Sequence, residues 1–252
     1  MFRTLQTLTL AGVLATSSLV ATAAEAGWII GLVNGKQIVT IDPATRKVTA
    51  KADVKGAGTL LGIDVRPADG AIWTIDAKTG NAMMKSRMTQ MLKPGVIATV
   101  DFNPAADRLR VMGSDGTSLR VNVEDGMTTV DGSHKYKDGD VNAGKTPKVV
   151  AGAYINSKKG TTATALYNID AATGALVTQA PPNDGILNTV GPLGIALNGP
   201  VAFNIVADGE GNYAWLATGG TLYTVDLKSG KAAMVGKITG FTGTLSDIAW
   251  WE

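Results

Sequence analysis

Side chains able to act on a ligand concentrate in one run, Asp101-Phe102-Asn103-Pro104-Ala105-Ala106-Asp107-Arg108-Leu109-Arg110-Val111. Arg108 and Arg110 stand two apart, so on a strand they share one face, with Leu109 and Val111 on the other. Together with Arg120, Asp101 and Asn103 they could offer guanidinium forks to an anionic ligand. The same residues could instead form an ion-pair and turn network that locks neighbouring elements, because a buried Arg needs a partner. Asp138, Asp140 and Asn142 place oxygen ligands at alternate positions, as the opening of a calcium loop does. The sixth position is Ala143 rather than Gly and the twelfth is Val149 rather than Glu. The EF-hand pattern therefore fails, and a calcium site here needs ligands from other loops. Met84, Met88 and Met91, with Met83 beside them, could supply thioethers to Cu(I). If Ala82–Leu92 is helical, those three share one face, which core packing also uses. The single histidine, His134, sits among Ser133, Lys135, Lys137, Lys145 and Lys148 and is expected in a solvated loop rather than as a base. Cys is absent, which removes disulfides, thiolate metal sites and Cys nucleophiles.

The elements that must hold these residues repeat along the chain. One phrase reads Ile38-Val39-Thr40-Ile41-Asp42-Pro43-Ala44-Thr45. It returns at Ile72–Gly80, at Leu166–Gly174 and at Leu222–Gly230, with a degenerate copy around Leu119–Gly126. β-branched and aromatic residues on both faces suit a strand packed between two sheets. The Asp closes the strand by accepting backbone N–H groups in the turn, and the Gly supplies the positive φ that reverses the chain. A second phrase precedes the first: an apolar strand running to Asp64, to Asp101, through Ala153-Tyr154, or to Asp208. Acids in these strands, Asp64, Asp101, Asn103, Asp208 and Asp247, either cap turns or converge on a central cation. Units recur about every 35 to 55 residues, near the spacing of propeller blades.

These units predict an all-β chain, a β-propeller of five or six blades, with a two-sheet β-sandwich as the alternative. Closure is predicted by pairing Leu245–Trp251 with Trp28–Val33 or Ile38–Asp42, which hides both sheet edges. Residues 1–26 read as a secretory signal peptide, with Arg3 as the charged start, Leu8–Val20 as the apolar stretch and cleavage after Ala23 or Ala26. Residues 27–252 are then one domain, exported to the periplasm or beyond, with no membrane span in the mature chain.

In the order Asp101–Val111, Asp138–Gly144, Ala153–Asn156, Leu166–Asp170, Pro181–Gly185 and Val190–Gly194, the sequence resembles the bacterial family catalogued as domain of unknown function 4394. The resemblance implies an exported, propeller-like fold and carries no catalytic residue. The chain departs from the family pattern at Met83–Leu92, and at Arg46, where the phrase prefers Gly.

The 252 residues carry 23 Lys+Arg against 21 Asp+Glu, a balance that argues against nucleic acid as partner. No cofactor is demanded by any motif. The expected role is an exported, non-catalytic module that binds a protein, glycan or small ligand, or serves structurally. The alternatives are a metal-dependent hydrolase or lactonase with a cation in the central channel, and copper handling by the Met cluster.

Overall fold

The computed structural model describes residues 27–66, 76–209 and 211–251. Among these residues seventeen strands form four sheets. The first sheet holds β1 (Trp28–Val33), β2 (Gln37–Ile41), β3 (Val48–Asp53) and, as innermost strand, β17 (Leu245–Trp251). The second runs β4 (Ala98–Asn103), β5 (Arg108–Gly113), β6 (Ser118–Val121), β7 (Thr128–Val130). The third runs β9 (Val149–Tyr154), β10 (Leu166–Asp170), β11 (Ala175–Gln179), β12 (Ile186–Pro192), and β8 (Lys135–Tyr136) adds in parallel at its outer edge. The fourth runs β13 (Val201–Asp208), β14 (Gly211–Thr218), β15 (Thr221–Val225), β16 (Ala232–Lys237).

Innermost strands pack side by side: β13 lies against both β17 and β9, and β4 lies against β9. Between β17 and β4 sits an irregular segment around Ile63 and Asp64, tied to both. The result is a propeller-like ring rather than a two-sheet sandwich, with four sheets among the described residues rather than the expected five or six blades. The count fell because repeated phrases were read as blades. The phrase at Ile72–Gly80 builds its Asp76 turn but no sheet among the described residues, and its residues 72–75 lie outside them.

The repeated phrase works as its chemistry dictates. Asp42 Oδ1 accepts the N–H groups of Ala44 and Thr45 at 2.8 and 3.2 Å, and Asp226 Oδ1 accepts those of Lys228 and Ser229 at 2.8 Å each. Gly126 shows why the phrase ends in Gly. Its φ is +78°, and a Cβ there would lie 2.0 Å from the Arg87 carbonyl oxygen. At the corresponding turn of β2, Arg46 takes φ +61° with a full side chain.

The core is divided into layers between neighbouring sheets. Ile169, Leu176, Phe203 and Leu216 fill the layer between the third and fourth. Ile29, Val39, Ile41, Leu222 and Ile248 fill the layer between the fourth and first. Trp215 and Trp250 stack across that second layer, centroids 6.4 Å apart. Ring closure is a strand pairing: Trp28 faces Trp251, Ile30 faces Ala249 and Gly31 faces Ile248. The signal-peptide expectation falls on residues 1–26, outside the described residues. No helix among the described residues is long and apolar enough to cross a membrane.

Candidate functional site

Three groups of side chains face or flank the ring axis. The first is the arginine network. Arg110 is 1% exposed. Its Nε donates to Tyr154 Oη at 2.9 Å, Nη1 to Ser118 Oγ at 2.9 Å and Asp131 Oδ2 at 2.7 Å, and Nη2 to Asn183 Oδ1 at 2.7 Å. Arg120 grips the same carboxylate through Nε and Nη2, at 2.7 and 3.0 Å. The pair thus fastens the second sheet to the third, and the Asp131 partnership holds the Arg120 guanidinium in its charged form. Arg108 lies exposed at the start of β5 and donates to the carbonyls of Ala106 and Asp107. Asn103 caps the turn before it, accepting from Ala105 and Ala106 at 3.0 and 2.9 Å. The structure brings Arg110 and Arg120 together on Asp131 and leaves Arg108 apart.

The second group is three buried carboxylates on successive inner segments. Asp247 Oδ2 accepts the N–H of Ile63 at 2.9 Å, Asp64 Oδ2 accepts that of Phe102 at 2.5 Å, and Asp101 Oδ1 accepts that of Tyr154 at 3.0 Å. Each acid therefore latches its segment to the next one round the ring, a role that differs from the turn-capping expected for Asp64, Asp101 and Asp247. Burial raises Asp64 to about 7. Burial, and then the mutual repulsion of the set, holds Asp101 and Asp247 well above the usual carboxylate range. No three His, Asp or Glu side chains among the described residues are placed to share a metal ion.

The third group is a cavity of about 610 Å³ at one end of the axis. All four sheets and the irregular segment contribute to its wall: Leu61, Ile97, Val150, Val201 and Ser246, with Lys148 as its sole charged residue among the described ones. Leu61 and Ile97 are large apolar side chains left 62% and 49% exposed. Lys148 makes no side-chain hydrogen bond or ion pair among the described residues, its backbone N–H alone going to Asp170 Oδ1. Sequence reasoning passed over Leu61 and Ile97 because each is an ordinary apolar residue at a strand entrance. The signal is spatial: four sheets and a loop bring them to one opening.

The remaining candidates lie elsewhere. Asp140 is consumed in docking its loop to β12, accepting the Thr189 N–H and Oγ1 at 2.7 Å each and the Asn142 N–H at 2.8 Å. Lys145 Nζ donates to Asn142 Oδ1 at 2.9 Å, and Asp138 stays exposed. Residues 82–92 form no helix. The segment lies along the second sheet's outer turn instead, with Thr89 N–H donating to the Gly126 carbonyl and Thr89 Oγ1 accepting from Thr128 N–H, so backbone groups are spent on a neighbour. Met88 packs on the second sheet's core, while Met84 and Met91 are exposed at 73% and 72%. His134 is not the solvated residue expected. It is 7% exposed, and its two ring nitrogens have no hydrogen-bond partner among the described residues. Burial and then the nearby Arg110 charge push it down to about 4, so it is a neutral ring at physiological pH. Its polar sequence neighbours gave no sign that the ring would fold beneath the arginine network.

Comparison with known proteins adds the family. Among solved structures, a protein of unknown function from Bacteroides caccae is similar at 14% identity, with TM-score 0.43, over 83% of this chain and 73% of that one. A dihydro-heme d1 dehydrogenase, NirN, is similar at 11% identity, with TM-score 0.37, over 86% of this chain and 44% of that one. A computationally designed protein, Ika8, is similar at 14% identity with TM-score 0.32, over 89% of this chain and 63% of that one. Comparison with curated proteins gave no match. The family described as Domain of unknown function (DUF4394) matches residues 37–249, nearly the whole ring, and the chain belongs to that family.

Proposed function

We propose that the protein is an exported binding module whose ligand site is the cavity at the mouth of the ring. The observation that carries this reading is the wall of that cavity. Leu61 and Ile97 come from different inner segments, stay exposed, and border a space of about 610 Å³. Pockets of roughly 300–1,000 Å³ with mostly apolar walls and a few polar groups are the usual form of a small-ligand site. Exposed apolar side chains gathered around one concavity are a cost to a soluble domain unless something covers them. Arg110 and Arg120 serve this reading as scaffold, since they fix the sheets whose ends form the mouth.

The test uses an uncharged apolar dye, Nile red. Its fluorescence should rise and shift to the blue with saturation at one site on the purified domain. Substituting Ile97→Asp together with Leu61→Asp should remove that site while circular dichroism stays unchanged. Dye binding that persists in this double variant sinks the reading. Export is tested separately. The secreted chain should have a mass beginning at Ala24 or Gly27, and a mass retaining Phe2 to Val20 would overturn it.

A further inference from the structure

We infer that the mouth cavity takes an amphiphilic organic anion, a carboxylate on a compact apolar body of the size of a medium-chain fatty acid. This inference rests on the mouth being the ligand site. The apolar part of the argument is the wall already described, with Leu61 and Ile97 at the opening and Val150 and Val201 further round. The polar part is the charge census of that wall. Among the described residues Lys148 is its one charged residue, and its ammonium has no partner there. No Asp or Glu among the described residues lines the cavity.

The acids nearest in the fold are all engaged elsewhere. Asp170 is buried and accepts from the Lys148 backbone N–H, from Ala172 and from the hydroxyls of Thr173 and Tyr136. Asp247 follows the lining residue Ser246, but its carboxylate is turned to the Ile63 and Ile248 N–H groups. Asp64 and Asp101 likewise face backbone N–H groups between segments. Among the described residues, a ligand anion entering the mouth therefore meets one unpaired ammonium and no competing carboxylate. That contact is a charge-assisted hydrogen bond, roughly twice as strong as a neutral one. A cationic ligand would meet repulsion from Lys148 with nothing in the wall to offset it. The backbone around Gly199 and the hydroxyl of Thr59 complete the rim as neutral groups.

The experiment compares three probes of equal chain length on the full mature domain by calorimetry: decanoate, decanol and decyltrimethylammonium. Decanoate is expected to bind most tightly and decyltrimethylammonium most weakly. Lys148→Gln should weaken decanoate by about tenfold, the loss of about one charge-assisted contact, and leave decanol unchanged. Lys148→Arg should restore decanoate binding, which a merely structural role for Lys148 would not require. Lys148 is exposed, so neither substitution threatens the fold. If decanol binds as well as decanoate, or Lys148→Gln leaves decanoate untouched, the anion assignment is wrong while the mouth stands as the site. If none of the three probes binds, or Ile97→Asp binds all of them as the parent does, the mouth itself is wrong.

Discussion

Replacing Asp64 by Asn should flatten the dependence of stability on pH, and the expected change can be worked from the fold. Asp64 has an ordinary value of 3.8 and is raised to about 7 in the folded chain, chiefly by burial. Between those values the folded state holds a proton that the unfolded state has released. Stability attached to Asp64 is therefore greatest below 3.8 and is lost progressively as pH rises through 7. The window is from about pH 6.5 to about pH 8.5, where His134, ordinarily 6.5 and lowered to about 4 here, opposes the trend by only about 0.4 kcal/mol and does so equally in parent and variant. Across it the protonated fraction of Asp64 falls from about three quarters to a few per cent, and integrating that fraction gives a loss of about 1 kcal/mol. Asp101 and Asp247, also raised, add losses of the same sign. The assay is urea unfolding followed by tryptophan fluorescence at several pH values in that window. The parent should lose stability across the window, and Asp64→Asn should lose about 1 kcal/mol less than the parent, the His134 contribution being common to both. Asn can accept only one of the two N–H groups that Asp64 receives from Val65 and Phe102, so the variant starts lower. The slope, not the starting value, is the test. A parent whose stability is flat or rises over this window would refute the argument.

Three further outcomes are expected. Arg110→Leu should cost about 3 kcal/mol in urea unfolding, because it leaves the buried Tyr154 and Ser118 hydroxyls without their partner and Asp131 with Arg120 alone; a loss under about 1 kcal/mol would show the network is dispensable. Arg46→Gly should raise stability by about 0.5–1 kcal/mol, since φ +61° strains a residue with a Cβ and suits Gly; a fall in the urea midpoint would show that the Arg46–Ala44 hydrogen bond outweighs the strain. Removing residues 244–252 should give an aggregating or unfolded product by light scattering, because β17 is the inner partner of β1; a monomer with a cooperative transition would contradict ring closure by that pairing.

What was legible in the sequence is what local chemistry decides. Asp42 and Asp226 announce their turns because an Asp two or three residues ahead of free N–H groups needs nothing else to act. That the last strand pairs with an N-terminal one was legible from edge accounting, because an apolar strand at each end of a ring demands a partner, but the choice of β1 over β2 was not. Asp64 and Asp247 were visible as polar residues in inner strands, but their partners are N–H groups on other segments, far away in sequence. His134 was misread for the same reason. Its neighbours Ser133 and Lys135 are polar, yet burial is set by how the loop folds under Arg110. Met84, Met88 and Met91 have helical spacing without a cap, and the open N–H and hydroxyl groups of the second sheet's turn captured the segment instead. The mouth belongs to no single motif, since Leu61, Ile97 and Lys148 meet only when the ring is assembled.

The pairing of β17 with β1 also orders events in time. A chain that emerges from the ribosome N-terminus first carries β1 long before its inner neighbour exists. β2 and β3 can form a meander on one side of β1, but the first sheet stays one strand short until the far end arrives. Contacts between such distant residues close the largest loop in the domain, and closing large loops slows folding. The nascent chain is thereby kept unfinished while it is being made. The export proposed above would need an unfolded substrate for a threading translocase, and this strand order prolongs that state. The last strand acts as a latch that lets the ring set only after the whole of it is present.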